Sequence, residues 1–296
     1  MSEPKVSIIT VNYKQPQVTK DLLRSIAELS YLNLEVILVN NEQDEGLFAE
    51  GPDFPFELLE INSQENIGFA GANNLGITKA KGDYLFFLNN DTELSDGVIE
   101  KLLSGFDSPE IGAVSPILRY HEAPEKIQFA GYTEINAWTG RNSLIQQQNV
   151  ETFTESPYFH GAAVMLPRWV VQDVGNLPES YFLYYEELDW SVRVREKGYQ
   201  IKVCQEVSVL HKESVSTGKN SPLKLYYQTR NRVFFMYRNS KHAWLFLGFF
   251  LLVSVPKNLL TQVLKRNWLH LRAFLLACQH ALITKQSGWI DARNFS

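Results

Sequence analysis

Apolar residues in the first part of the chain come in short, nearly unbroken runs, each followed by a polar cluster. Residues 5–11 and 34–39 are dense in Val, Ile and Leu, and 56–61 is a third, weaker run. Strands covered on both faces lose polar alternation, so these runs predict a buried parallel sheet. Between the first two, Pro16 opens a helix with an apolar stripe of Leu22, Leu23, Ile26 and Leu29. Strand, helix and strand in this rhythm imply right-handed crossovers. The segment from Glu65 to Gly76 reads as a Gly-rich loop opening a helix that runs to residue 81. The sharpest change of character is Gly82-Asp83-Tyr84-Leu85-Phe86-Phe87-Leu88-Asn89-Asn90-Asp91, where an apolar run stops in two amides and a carboxylate. A helix capped by Ser95 and a strand over 111–118 follow.

The second part is less regular. Residues 119–150 are polar, with Gly131, Gly140 and consecutive glutamines, and are expected to form loops over a site. A strand entered through small residues covers 159–165. A helix begins near Glu186 and stops at Gly198, and a strand-like run over 207–210 ends in His211. Residues 243–255 form an apolar run of 13 residues ended by Pro256, shorter than the ~20 needed to span a bilayer. Residues 259–264 and 268–283 read as amphipathic helices interspersed with Lys257, Lys265, Arg266, Arg272 and Lys285. Such helices suit a headgroup layer, with Trp244 and Trp268 at the interface. A cap on the body and a homodimer interface are the alternatives. The expected organisation is one α/β domain over 1–240 and a helical appendage over 241–296.

Charge sharpens this division. The net charge of −5 argues against nucleic acid as a partner. Residues 241–296 hold seven Lys and Arg and one Asp, a net of +6, whereas residues 1–240 hold 21 and 32, a net of −11. A basic, apolar tail on an acidic body points to an anionic surface. Cys204 and Cys278 match no metal or redox spacing and fit a reducing compartment. The N-terminus enters a strand directly, so no signal peptide is expected, and the Asn90-Asp91-Thr92 acceptor pattern is discounted accordingly.

Two clusters carry candidate chemistry. Asp91 sits where a parallel strand would end, the edge at which open α/β sheets bind ligands. A hard carboxylate there suits Mg2+ or Mn2+ held against phosphates, although Asn-Asn-Asp is also ordinary turn chemistry. The Gly-rich segment fits neither the dinucleotide nor the P-loop pattern. In Phe182-Leu183-Tyr184-Tyr185-Glu186-Glu187-Leu188-Asp189, three acids crowd the first turn of a helix. The helix dipole accounts for one or two; repulsion among three raises at least one pKa, which suits a general base. Glu186 and Asp189 share a face with Arg193, which leaves Glu187 free.

Val6-Ser7-Ile8-Ile9-Thr10-Val11-Asn12-Tyr13, the 66–76 segment and Asn89-Asn90-Asp91, in this order, resemble family 2 glycosyltransferases of the GT-A fold, especially bacterial rhamnosyltransferase-type members. The resemblance covers residues 5–240. It implies a mixed α/β sheet flanked by helices, a dTDP- or UDP-sugar donor with dTDP-L-rhamnose foremost, and a saccharide or lipid-linked acceptor. Thr10, Asn12 and Tyr13 would lie beside the base. Asn40 occupies the place of an Asp that contacts base or ribose, and Asn66, Gly68 and Asn73 would line the donor site. Asn89, Asn90 and Asp91 stand at the D-x-D position with Asp91 as metal ligand, and His211 would reach the same metal. The E-D motif falls on Glu186-Glu187, with Glu187 as base and Asp189 as fallback. Tyr226-Tyr227-Gln228-Thr229-Arg230-Asn231 matches a Y-Y-x-x-R-N element in which Arg230 would meet phosphate, and residues 214–219 would close over the pyrophosphate. The activity implied is inverting sugar transfer for cell-surface polysaccharide on the inner face of the membrane. A sugar-phosphate nucleotidyltransferase and a silent membrane-associated scaffold are the alternatives.

Overall fold

The computed structural model describes residues 3–42, 47, 54–212 and 220–283. The expected closing loop over 214–219 and Lys285 lie outside these residues. Four parallel strands carry the first part: β1 (Val6–Asn12), β2 (Leu34–Asn40), β3 (Glu57–Asn62) and β4 (Tyr84–Asn89), in spatial order β3-β2-β1-β4. Their side chains alternate between two cores. Val6, Ile8, Val36, Leu38, Phe86 and Leu88 pack with α1 (Pro16–Ala27) and α3 (Val98–Leu103). Ile9, Ile37, Val39, Leu85 and Phe87 pack with α2 (Gly68–Ile77), α4 (Arg168–Val174) and α5 (Glu186–Glu196). Burial on both faces is why β1, β2 and β4 read as unbroken apolar runs, whereas the edge strand β3 is partly exposed and reads more weakly.

The sheet continues as β9 (Ala163–Pro167), β6 (Ile111–Tyr120) and β10 (Gln200–His211). β9 is antiparallel to β4 and β6, and β10 is parallel to β6. The short β5 (Thr92–Glu93) pairs with the end of β10, matching Thr92 to His211. β7 (Ala123–Phe129) folds back on β6, and β8 (Phe153–Glu155) pairs with β10. The result is a mixed α/β sheet flanked by helices.

Several local expectations change. The segment expected as a Gly-rich loop is already helical from Gly68, whose positive φ of 77° marks the entry into α2. Gly97, also left-handed, stands at the N-cap expected of Ser95. The strand expected over 159–165 begins at Ala163, and the run at 207–210 is the end of the much longer β10. Within 119–150 the polar stretch contains β7, whose outer face is solvated and therefore lacks an apolar signature.

The largest change is in the tail. After α6 (Pro222–Asn239), α7 (Ala243–Phe249) runs through a π turn (Phe250–Ser254) into α8 (Val255–Leu264). Pro256 therefore does not end the apolar run, because the wider turn before it absorbs the mismatch of its missing N–H and its ring. The continuous helix Ala243–Leu264 has 22 residues and is long and apolar enough to cross a membrane. Its Phe246 and Phe250 are nevertheless buried against the body. α9 (Trp268–Ile283) returns along α6, burying Ala273 and Ala277 against Tyr226 and Tyr227.

Candidate active site

A chain of amides lies across the carboxyl ends of the parallel strands. Asn12 donates to Asn40 Oδ1 at 2.8 Å, and Asn40 donates to Asn62 Oδ1 at 3.1 Å. Thr19 Oγ1 donates to Asn12 Oδ1, and Asn90 Nδ2 donates to Thr19 Oγ1, both at 2.9 Å. The strand register makes this possible, since Asn12 faces Asn40 and Asn40 faces Asn62 in adjacent strands. Asn40, expected to contact the base, is fully buried within this network. The acid missing at that position is present two residues later: Glu42 Oε1 accepts from Asn12 Nδ2 and from the Lys14 amide, both at 3.1 Å. Thr10 is fully buried and Tyr13 half-exposed beneath the Lys14 ammonium. Asn41, unremarked in the sequence reading, binds the Ile67 amide, Asn66 Oδ1 and the Gly68 carbonyl, and so shapes the entry to α2.

β4 delivers Asp91 and β10 delivers His211 to one point. The β5–β10 pairing sets the two side by side, with His211 Nε2 3.2 Å from Asp91 Oδ1. Gln128 on β7 binds His211 Nδ1 at 2.8 Å. Its carbonyl oxygen accepts the Nδ1 proton in this pairing, which turns the Nε2 lone pair towards Asp91. Asp91 Oδ1 is buried and accepts no hydrogen bond. Two electron-rich atoms at this separation call for a cation between them, and carboxylate plus imidazole is a donor set that Mn2+ or Mg2+ accepts. Among the described residues no group of three or more such ligands exists.

Aromatic side chains connect this pair to the acids of α5. The His211 and His160 rings meet edge to face at 6.0 Å, and His160 stacks on Tyr132 at 6.0 Å. Burial pushes His160 down to about 3, so it is neutral. The Tyr132 phenol is held well above its usual range by burial and then by the charge of Glu187. Glu187 packs against Gly161, and the Ala162 carbonyl accepts from the Asn89 amide at 2.9 Å, two residues before Asp91. Ring contacts through His160 and Tyr132 thus link the Asp91–His211 pair to the surroundings of Glu187.

The three acids have separate environments. Burial raises Glu187 to about 7, and its Oε2 has no hydrogen-bond partner. Glu186 is more deeply buried and is pushed well up by burial and by Glu187, which favours its neutral form. Asp189 departs from its expected fallback role as base. It is fully buried, accepts from Tyr181 Oη at 2.9 Å and Asn239 Nδ2 at 3.0 Å, and pairs with Arg193 and Arg238. Such a carboxylate, fully buried between two guanidinium groups, fastens α5 to the body.

The approach to α5 is strained. Phe182, Tyr184 and Tyr185 all have positive φ, between 66° and 77°, a region costly for aromatic residues. Asn231 on α6, whose role sequence reasoning missed, holds this turn: its Nδ2 donates to the carbonyls of Tyr181, Leu183 and Tyr184 at 2.8–3.0 Å. Arg230, expected to meet phosphate, instead donates to the carbonyls of Ser180 and Tyr181 and lies against the rings of Tyr226 and Tyr227. Gly68 serves the same turn from the other side. A Cβ there would stand 2.6 Å from Phe182 Cδ2, and the next amide, Phe69, donates to the Phe182 carbonyl. Asn73 donates to the Phe69 carbonyl and is almost fully buried, so it braces α2 where the resemblance implied a donor contact.

The comparisons with known proteins agree with this architecture. The low-salt glycan biosynthesis hexosyltransferase Agl10 of Haloferax volcanii is 28% identical over 77% of this chain and 74% of its own length. The O-antigen biosynthesis protein RfbC of Myxococcus xanthus is 27% identical over 72% of this chain, which spans only 18% of that larger protein. Among solved structures, the mannosyltransferase PcManGT of Pyrobaculum calidifontis, in complex with GDP-Man and Mn2+, superposes over 96% of this chain and 89% of its own with a TM-score of 0.60 at 17% identity. S. aureus TarS residues 1–349 superpose over 94% of this chain and 81% of their own with a TM-score of 0.58 at 15% identity. The fold is therefore GT-A. The sequence model of glycosyl transferase family 2 matches residues 7–175, more than half of the chain, and the protein belongs to that family.

Proposed function

We propose that the protein is an inverting glycosyltransferase that moves a sugar from a nucleoside diphosphate donor to a hydroxyl of a saccharide or lipid-linked acceptor. The observation that carries this reading is the Asp91–His211 pair, linked through the rings of His160 and Tyr132 to Glu187, whose Oε2 is buried without a hydrogen-bond partner. Glu187 takes the proton of the acceptor hydroxyl. That oxygen bonds to the anomeric carbon from the face opposite the leaving group, and the carbon–oxygen bond to the diphosphate breaks with its electron pair. A divalent cation, which Asp91 and His211 would hold, would supply positive charge to the departing diphosphate. The base and ribose lie over the ends of β1 and β2, where Tyr13 and Glu42 are accessible and the buried amide network fixes the floor.

β1 passes through Asn12 to Pro16 without a glycine-rich basic loop that would hold a triphosphate, which disfavours the nucleotidyltransferase alternative. The raised pKa and free oxygen of Glu187 disfavour a silent scaffold. The deciding assay follows nucleoside diphosphate release from a donor panel of dTDP-L-rhamnose, UDP- and GDP-sugars with Mn2+ or Mg2+. Asp91→Ala and Glu187→Gln are expected to lose nearly all transfer; full activity in both refutes the proposal.

A second part of the reading is attachment of the C-terminal region from residue 241, with its helices α7 to α9, to the cytoplasmic face of a membrane. Leu252, Leu260, Leu264, Trp268 and Leu269 are exposed around the α8–α9 connection. Residues 241–283 carry Lys241, Lys257, Lys265, Arg266 and Arg272 and no acid. An apolar tip ringed by bases suits insertion beside anionic headgroups. Flotation with anionic vesicles, lost in Leu264→Glu/Trp268→Glu, is the expected result; a protein left in the supernatant refutes it.

A further inference from the structure

Arg232 is the one arginine of α6 whose guanidinium is not committed to a carboxylate or a carbonyl. It is only 4% exposed, yet among the described residues it makes no ion pair or hydrogen bond, and its Nε is fully shielded. Arg230 holds two carbonyls and Arg238 pairs with Asp189. Arg232 has only the faces of Phe250 at 5.4 Å and Phe246 at 5.9 Å. Cation–π contact offsets part of the burial cost, but a buried cation without a counter-charge remains expensive.

A second unpaired cation lies beside it. Residues 133–143 form a hairpin, with Thr133 binding the Ser143 carbonyl and Asn136 the Arg141 carbonyl. At its turn Gly140, with φ of 62°, rests so closely on Met236 and Phe246 that a Cβ would stand 2.8–2.9 Å from them. Only glycine fits there, and its packing on Phe246, the ring that also faces Arg232, brings the next residue, Arg141, close enough for the two charges to repel. Arg141 is exposed and makes no ion pair among the described residues. Tyr185 lies between these cations and the acids: its Oη reaches the Gly140 carbonyl at 3.5 Å, and its phenol feels the charges of Arg232, Arg141 and Glu187 together.

We propose that Arg232 and Arg141 form an anion subsite for a phosphate group carried by the acceptor, about one sugar unit from the hydroxyl that Glu187 deprotonates. The inference rests on Glu187 as the base and adds what the acceptor must carry. Two guanidinium groups from different elements suit a phosphate, whose oxygens diverge, better than a single carboxylate, which one fork satisfies. The Tyr185 side chain, comparable in span to a pyranose ring, separates the phosphate from the base. The shared chemistry is a glycosyl phosphate or diphosphate, and its source is a soluble phosphosugar or a lipid-linked one.

The test uses the full chain with Mn2+ and a saturating nucleoside diphosphate, so that the donor site is filled. Calorimetry with inorganic pyrophosphate is expected to show binding that Arg141→Ala weakens about tenfold or more. Arg232→Met is expected to abolish it, with Arg232→Lys retaining part if the Met variant fails to fold. Geranyl diphosphate binding more tightly than pyrophosphate assigns the site to a lipid-linked acceptor; equal affinities assign it to a soluble one. Absence of binding, equal binding of acetate, or indifference to both arginine substitutions overturns the subsite. Sugar transfer with no pyrophosphate binding overturns the subsite and leaves the function above standing. Pyrophosphate binding with a fully active Glu187→Gln keeps the anion site but overturns its role beside a catalytic base.

Discussion

Asn231→Ala is the most informative single substitution, because Asn231 touches neither the Asp91–His211 pair nor Glu187. Its amide donates to three carbonyls of the turn before α5 and accepts from Arg230 Nε at 2.9 Å. It is fully buried, so no water replaces these partners in an intact fold. Each lost hydrogen bond costs about 1 kcal/mol net, and a buried acceptor left unpaired costs roughly 1–3 kcal/mol. With two amide protons serving three carbonyls, the expected destabilisation is about 3 kcal/mol. The strain stored at Phe182, Tyr184 and Tyr185, about 1–3 kcal/mol each, favours relaxation of the turn once the amide is gone. Tyr185 directly precedes the acids, so relaxation moves Glu187 and leaves the Asp91–His211 pair in place. Urea unfolding should report the stability loss, and steady-state kinetics a kcat reduced by about a hundredfold, as for small misplacements of a catalytic group. The KM for donor should change little. A variant with unchanged kcat, or a loss confined to donor KM, would refute the argument that this amide positions the base.

Four further outcomes follow from the same geometry. Glu187 titrates near 7, so kcat/KM should rise with pH through about that value, and the donor hydrolysis left in Glu187→Gln should lack this limb. Stability should run the other way: a carboxyl raised on folding favours the native state below its unfolded pKa and loses that contribution as pH rises through 7. Thermal unfolding at pH 8 should therefore find Glu187→Gln more stable than the native protein. Gln128→Leu should weaken Mn2+ binding in the presence of nucleoside diphosphate by about 10–100-fold, read by titration of the free ion, because His211 loses the partner that sets its tautomer. Gly68→Ala should destabilise by roughly 2–4 kcal/mol, since φ is positive and Phe182 blocks the new methyl group; a shift in the urea midpoint with unchanged slope checks it.

What could be read from the chain alone depended on how each signal is written. The parallel strands were legible because burial on both faces leaves an uninterrupted apolar run, as in Leu85 to Leu88. Strand β7 was not, because one of its faces is solvated and its residues alternate weakly. Asp91, His211 and Glu187 were legible as reactive types at element ends, and the sheet brings them together through β5 and β10. The destinations of the amides and arginines were not legible. Asn12, Asn40, Asn73, Asn231 and Arg230 carry groups that bind a ligand or a neighbouring backbone equally well, and their type does not say which. The deciding fact is tertiary: which carbonyls a distant turn leaves without partners. The turn with positive φ at Phe182, Tyr184 and Tyr185 receives its carbonyl partners from α6, about fifty residues further along the chain. The Y-Y-x-x-R-N element thus holds the backbone of the turn that leads into Glu187, while Arg232, the residue immediately after it, makes no ion pair or hydrogen bond among the described residues.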